Sequence, residues 1–128
     1  MNLPRILKSL IRLCGVAALV LGLAFGFGYA GPFIQLHIVL GILLVLSLWA
    51  LAGIALWEGV RRDLISFAVV WGVVIWVFGV TQNQILPGGL HWLVEAGHLV
   101  AGGIAIVLGI VLGNAVVNRR IVGRSSVL

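Results

Sequence analysis

Four apolar stretches, each long enough to cross the hydrocarbon core of a bilayer, leave this chain little choice of fold. A helix needs about 20 residues for the crossing. The first stretch runs from about Leu13 to Tyr29, its start blurred by Arg12, and the second from Phe33 to Trp57. The third covers Leu64 to about Val80 and the fourth about Leu90 to Val117. Between them lie Ala30-Gly31-Pro32, the segment Glu58 to Asp63, and Gln82 to Gly89 with its Pro87-Gly88-Gly89 breaker. Lipid gives unpaired backbone N–H and C=O groups no partner, which excludes an open sheet and makes helices the economical structure. Links this short make successive helices antiparallel neighbours. The expectation is an all-α, four-transmembrane-helix up-down bundle forming one domain over residues 1–128.

Composition agrees. The chain is 62% hydrophobic and 9% charged, whereas water-soluble domains carry about a quarter charged residues. Its exterior must therefore be apolar, with the lipid bilayer as solvent. The sequence pI near 11.3 would suit a nucleic-acid partner, but the eight Lys and Arg sit in short clusters at segment ends. Arg5, Lys8 and Arg12 precede the first span, Arg61 and Arg62 separate the second and third, and Arg119, Arg120 and Arg124 follow the fourth. All fall on one side of the bundle, and the opposite links carry none. The positive-inside rule then puts both termini in the cytoplasm, with acidic lipid head groups as the partner of the basic clusters and no nucleic acid. A bacterial cytoplasmic membrane is the expected location. A basic start followed by an apolar run also fits a cleaved signal peptide; the part that residues 1–30 take in an internal repeat makes a retained first helix the expectation. Cys14 is the only cysteine, so no disulfide can form within the chain.

The repeat is one of helix pairs. Gly15-Val16-Ala17-Ala18-Leu19-Val20-Leu21-Gly22 in the first span matches Gly72-Val73-Val74-Ile75-Trp76-Val77-Phe78-Gly79 in the third. His37-Ile38-Val39-Leu40-Gly41 in the second matches His98-Leu99-Val100-Ala101-Gly102 in the fourth. Both pairs start from the same side, so the implied symmetry is a pseudo-two-fold along the membrane normal. That operation carries His37 onto His98 at similar depth across the bundle axis.

Ionisable groups inside a bilayer are costly, and they tend to face the bundle interior and mark function. On the fourth span His91, Glu95, His98, Gly102, Ala105 and Gly109 recur at spacings of four and three and so share a stripe. The second span carries the matching stripe His37, Gly41, Leu44 and Leu48. A histidine followed one turn later by glycine suits a haem set edge-on between helices: imidazole supplies the axial nitrogen, and the missing side chain lets the porphyrin approach the backbone. Gly22, Gly26 and Gly79 offer comparable room on the other two helices. One histidine on each of two facing helices predicts a single six-coordinate haem b with His37 and His98 as iron ligands.

With these residues the chain resembles the four-helix transmembrane cytochromes b of quinone-linked oxidoreductases, which hold haem b between histidines on facing helices with glycines beside the rings. The resemblance rests on the bundle and the two His-x3-Gly elements. It implies electron transfer with a quinol or with a membrane or periplasmic redox partner, alone or within an oligomer, and not a stand-alone enzyme. Many members carry two histidines per ligand helix and two stacked haems, whereas this chain has one suited to each helix, both nearer the outer side. Exchange at the outer face is thus expected in place of a transmembrane wire. His91, at the outer rim beside Trp92, would be interfacial or would meet a haem propionate. Gln82, Asn83 and Gln84 form an outer polar loop suited to propionates or a quinone head group.

Three alternatives stand beside this reading. His37 and His98 could be hydrogen-bonding residues between helices, with Gly22/Gly26 and Gly109/Gly113 as packing motifs; the protein would then be a structural or assembly subunit of a larger membrane complex. His91, Glu95, His98 and His37 could hold a metal directly, since Glu-x2-His serves in bundle metal sites. A transporter is poorly served, because the unwound helices and polar path it needs are not evident. No phosphate loop, Cys-x2-Cys pair, acidic pair or nucleophile-base spacing is present. Glu95, the only acid within a span, could relay a proton or pair with His91.

Overall fold

The structure, a computed structural model, describes residues 2–29 and 31–125. Ala30 of the first link and the side chain of Arg124 lie outside the described residues. Four helices make up the fold: α1 Leu3–Gly26, α2 Ile34–Trp57, α3 Arg62–Thr81 and α4 His91–Ser125. Single 3-10 turns at Gly31–Phe33 and Gln82–Gln84 complete the links at the end away from the chain termini. Among the described residues there is no strand.

Two helices are longer than their apolar stretches. Expected from about Leu13, α1 begins at Leu3, with proline in its first turn, where the missing N–H costs nothing. Expected to end at Val117, α4 runs through Ser125 and has 35 residues. The reason is physical: Arg and Lys are shut out of lipid but are good helix formers, so hydropathy marks where lipid ends and not where the helix ends. Glycines set two of the stops. At the end of α1, Gly28 (φ 88°) lets Tyr29 N–H reach Ala24 C=O at 3.0 Å while Gly28 N–H bonds Phe25 C=O at 2.8 Å. At the end of α2, Gly59 (φ 67°) does the same, with Val60 N–H on Ala55 C=O at 3.0 Å. Both are Schellman caps, which close the last carbonyls with a left-handed residue that glycine adopts without strain.

The helices pack as a square in chain order, α1 against α2 and α4, and α3 against the same two. In addition α2 and α4 touch across the diagonal. Of their most apolar windows 39% is buried, against 17% for α1 and 22% for α3, so α2 and α4 form the inner pair. The four spans have mean hydropathies of 2.0 to 2.6, which fits a bundle with lipid around it.

The core is deepest toward the basic end. Ile11, Leu48, Leu51, Ala55, Ala68, Leu112 and Val116 are fully enclosed there. A second layer of Cys14, Leu44, Val45, Ile75, Ala101, Ala105 and Ile106 lies beside it. Small residues let the backbones close in: a methyl at Gly109 would stand 2.5 Å from Ile11 Cγ2, and one at Gly113 2.9 Å from Lys8 Cδ. This is the Gly-x3-Gly packing surface of membrane helices, here between α4 and α1. Gly15 and Gly72, matched in the repeat, are both contact points of this kind, the first under Ile106 and Leu44 and the second under the indole of Trp49. Polar bonds tie the basic end together. Arg120 Nε donates to Glu58 Oε1 at 2.7 Å, Lys8 Nζ to Asn114 Oδ1 at 3.0 Å, and Arg61 Nε to Asp63 Oδ1 at 3.1 Å.

Candidate functional site

Toward the other end the interior changes character. In α2 the stripe His37, Gly41, Leu44, Leu48 passes from half-buried to buried, and across residues 31–39 His37 alone is not exposed. In α4 His91, His98 and Gly102 are half-buried, and Ala105 and Gly109 are buried. Glu95 leaves this stripe and is exposed. At about 100° per residue it lies on the edge of the stripe opposite Ala105, and that edge points out of the bundle.

The two histidines meet. Their ring centroids are 6.2 Å apart with the planes inclined by 55°, across the α2–α4 diagonal. Each ring is framed by the helix that precedes its own. Phe25 of α1 meets His37 edge-on at 5.3 Å, and Phe78 of α3 meets His98 edge-on at 5.4 Å. Gly22 and Gly79, also matched in the repeat, lie beside the same rings; a methyl on Gly22 would be 3.6 Å from His37 Cε1, and one on Gly79 3.4 Å from His98 Cε1. The two helix pairs thus present the same set of groups: a histidine, a facing glycine and a phenylalanine edge.

The polar settings of the rings differ. His37 Nδ1 lies 3.0 Å from the Ala18 carbonyl of α1. A carbonyl can only accept, so Nδ1 carries the proton and Nε2 carries the lone pair. His98 Nδ1 is buried and has no hydrogen-bond partner.

The remaining expected residues divide. Gly41 and Gly26 have open space where a side chain would stand, with nothing within 4 Å. Gly102 faces Leu19 Cδ2 at 3.3 Å and is a packing contact with α1. His91 opens α4, and its Nδ1 donates to the Ile85 carbonyl at 3.2 Å, which fixes the link before the helix. Among the described residues no three His, Cys, Asp or Glu side chains gather as a metal site, so His91 and Glu95 do not complete a direct metal centre with His37 and His98. Phe25 and Phe78 were missed from the sequence. Their signal was there, since Phe78 adjoins Gly79 and Phe25 lies one turn beyond Gly22 on the same face.

The groups suit a ring-bound iron. Two imidazoles, one on each inner helix, come within 6.2 Å of each other between ring centroids, close enough for one metal ion to lie between them once their nitrogens turn toward it. One ring has the proton-donating second bond typical of ligand histidines. The other holds an orphaned buried nitrogen, and a glycine backbone stands against each ring. The chain matches no family model, no curated protein and no solved structure.

Proposed function

We propose that this protein holds one haem b between His37 and His98 and passes electrons between a quinol or extracytoplasmic donor and a partner at the same membrane face. The observation that carries this reading is the 6.2 Å separation of the two rings, placed on the inner helix pair of an apolar bundle. His37 and His98 would hold the iron, with Gly22 and Gly79 against the imidazoles and Phe25 and Phe78 at the ring edges excluding water. His91, at the start of α4, would meet a propionate through the ring nitrogen that Ile85 leaves free. Haem b supplies a one-electron couple without proton chemistry of its own. The Ala18 carbonyl holds His37 in the tautomer that leaves Nε2 free and raises its basicity. By the one-sided basic clusters, both termini lie in the cytoplasm of a bacterial cell and the histidine pair lies near the outer surface.

One observation favours a second reading. The His37–Ala18 bond joins α1 to α2 as a packing histidine would, and a cofactor-free assembly subunit needs nothing more. Absorption spectra of the detergent-purified protein, expressed with ample haem and recorded oxidised and then reduced, separate the two. The haem reading expects a low-spin spectrum with a sharp band on reduction. That spectrum should be lost in His37→Ala and in His98→Ala and kept in His91→Ala. A colourless wild-type protein overturns the haem reading and leaves the subunit.

A further inference from the structure

At the basic end two grooves flank α3, and neither belongs to the histidine pair. The first, about 440 Å³, lies between α3 and the end of α4, with Arg61, Asn118 and Arg119 at its rim and Val60, Leu64 and Ala115 as its apolar walls. The second, about 410 Å³, lies between α2 and α3 under Arg62 and Ser66. We propose that the α3–α4 groove binds an anionic phospholipid, with its phosphate between Arg61 and Arg119 and one acyl chain along Leu64 and Ala115.

Position argues for lipid. Arg61 immediately precedes a membrane-spanning helix, so the rim sits at head-group depth while the walls run into the hydrocarbon. A bilayer-facing groove with apolar walls is filled by the chains around it, and what distinguishes one lipid from another is the charge at the mouth. The net charge there is positive. Among the described side chains this end carries Arg5, Lys8, Arg12, Arg61, Arg62, Arg119 and Arg120 against Glu58 and Asp63.

Both acids are engaged. Glu58 pairs with Arg120, and Asp63 with Arg61. Arg119 makes no ion pair among the described residues. Arg61 spends Nε and Nη2 on Asp63, and its guanidinium has five N–H donors, so donors remain for a phosphate. Asn118 adds an amide donor on the same rim. Two arginines and an amide over an apolar floor complement a phosphodiester with a hydrocarbon tail, and the floor gives a free phosphate nothing to bind.

The test is native mass spectrometry of the full chain released from vesicles of equal parts phosphatidylcholine and phosphatidylglycerol. Wild type should retain phosphatidylglycerol in preference. Retention should fall about fivefold for each of Arg61→Gln and Arg119→Gln, the factor that corresponds to ~1 kcal/mol per basic residue at an anionic surface. Arg5→Gln with Arg12→Gln removes twice the charge of either single variant, from α1, diagonal to α3, and should leave retention unchanged. Leu64→Trp, which fills the floor and keeps every charge, should also lower retention, and helix content by circular dichroism checks that each variant folds. Equal loss in the α1 pair would show attraction to the whole basic end and would overturn the site. So would a wild type without preference, unchanged retention in Leu64→Trp, or displacement of the lipid by inorganic phosphate.

Discussion

The ring of His37 is fixed by a bond that the ring of His98 lacks. A ligand histidine whose second nitrogen donates to a carbonyl is oriented, held in one tautomer and made more basic; losing such a partner typically weakens metal binding 10- to 100-fold. His37 has that support from Ala18, while His98 Nδ1 has none. With haem bound, His98 should therefore be the exchangeable ligand. Carbon monoxide added to the reduced protein should displace one imidazole. His98→Gly should keep its haem and recover a low-spin spectrum with added imidazole, whereas His37→Gly should lose haem. Identical behaviour of the two variants would refute the inequality. The histidine pair and its glycines Gly22 and Gly79 were legible in the sequence because an ionisable group in an apolar span stands out and because the repeat carries one histidine onto the other. The inequality was not, since Ala18 acts through a backbone carbonyl, which no side-chain pattern reveals. Gly102 was read as ring space from spacing alone, but Leu19 stands 3.3 Å from its Cβ position; spacing gives a face and not what stands opposite it.

Among the helices, α1 and α4 are held by a close approach, where Gly109 and Gly113 receive Ile11 and the stem of Lys8. A side chain at Gly109 has to displace Ile11, which is fully enclosed. Overpacking of this kind costs about 1–3 kcal/mol. Gly109→Leu should accordingly lower the thermal unfolding midpoint in detergent, while Gly53→Leu, exposed near the end of α2 with nothing within 4 Å of its Cβ position, should not. Equal effects would mean that helix packing does not depend on this contact. The number of helices and their order could be read from hydropathy because lipid imposes a length on every span. Their ends could not. The terminal turns of α1 and α4 are charged, and a charge tells where lipid stops while the backbone continues its hydrogen bonds regardless. Gly28 and Gly59 ended helices through their positive φ, a property that hydropathy does not carry.

At the scale of the whole molecule, the two ends of the bundle differ in kind: a tightly packed basic end, and an opposite end whose interior holds two histidines, two phenylalanines and glycines. If the histidine pair holds haem as proposed, that polarity predicts where electrons would enter. Helix α2 has 24 residues, and His37 lies in its first turn. At 1.5 Å per residue the histidine pair is about 5 Å from the start of the helix and about 30 Å from its end at Trp57. Between the pair and the basic end there is no further histidine to hold a relay. Reporter fusions fix the orientation: one after Asn83 should report outside the cytoplasm, and one after Arg62 inside. A cytoplasmic signal at Asn83 would sink the orientation. With the haem-loaded protein reconstituted in sealed vesicles of one orientation, a membrane-impermeant reductant should act quickly only from the face bearing Gln82 to Trp92. From the Arg61–Arg62 face the same reductant should act at the rate of leakage across the bilayer. Equally fast reduction from both faces would place the iron elsewhere or require a path through the protein, and would refute exchange at the outer face.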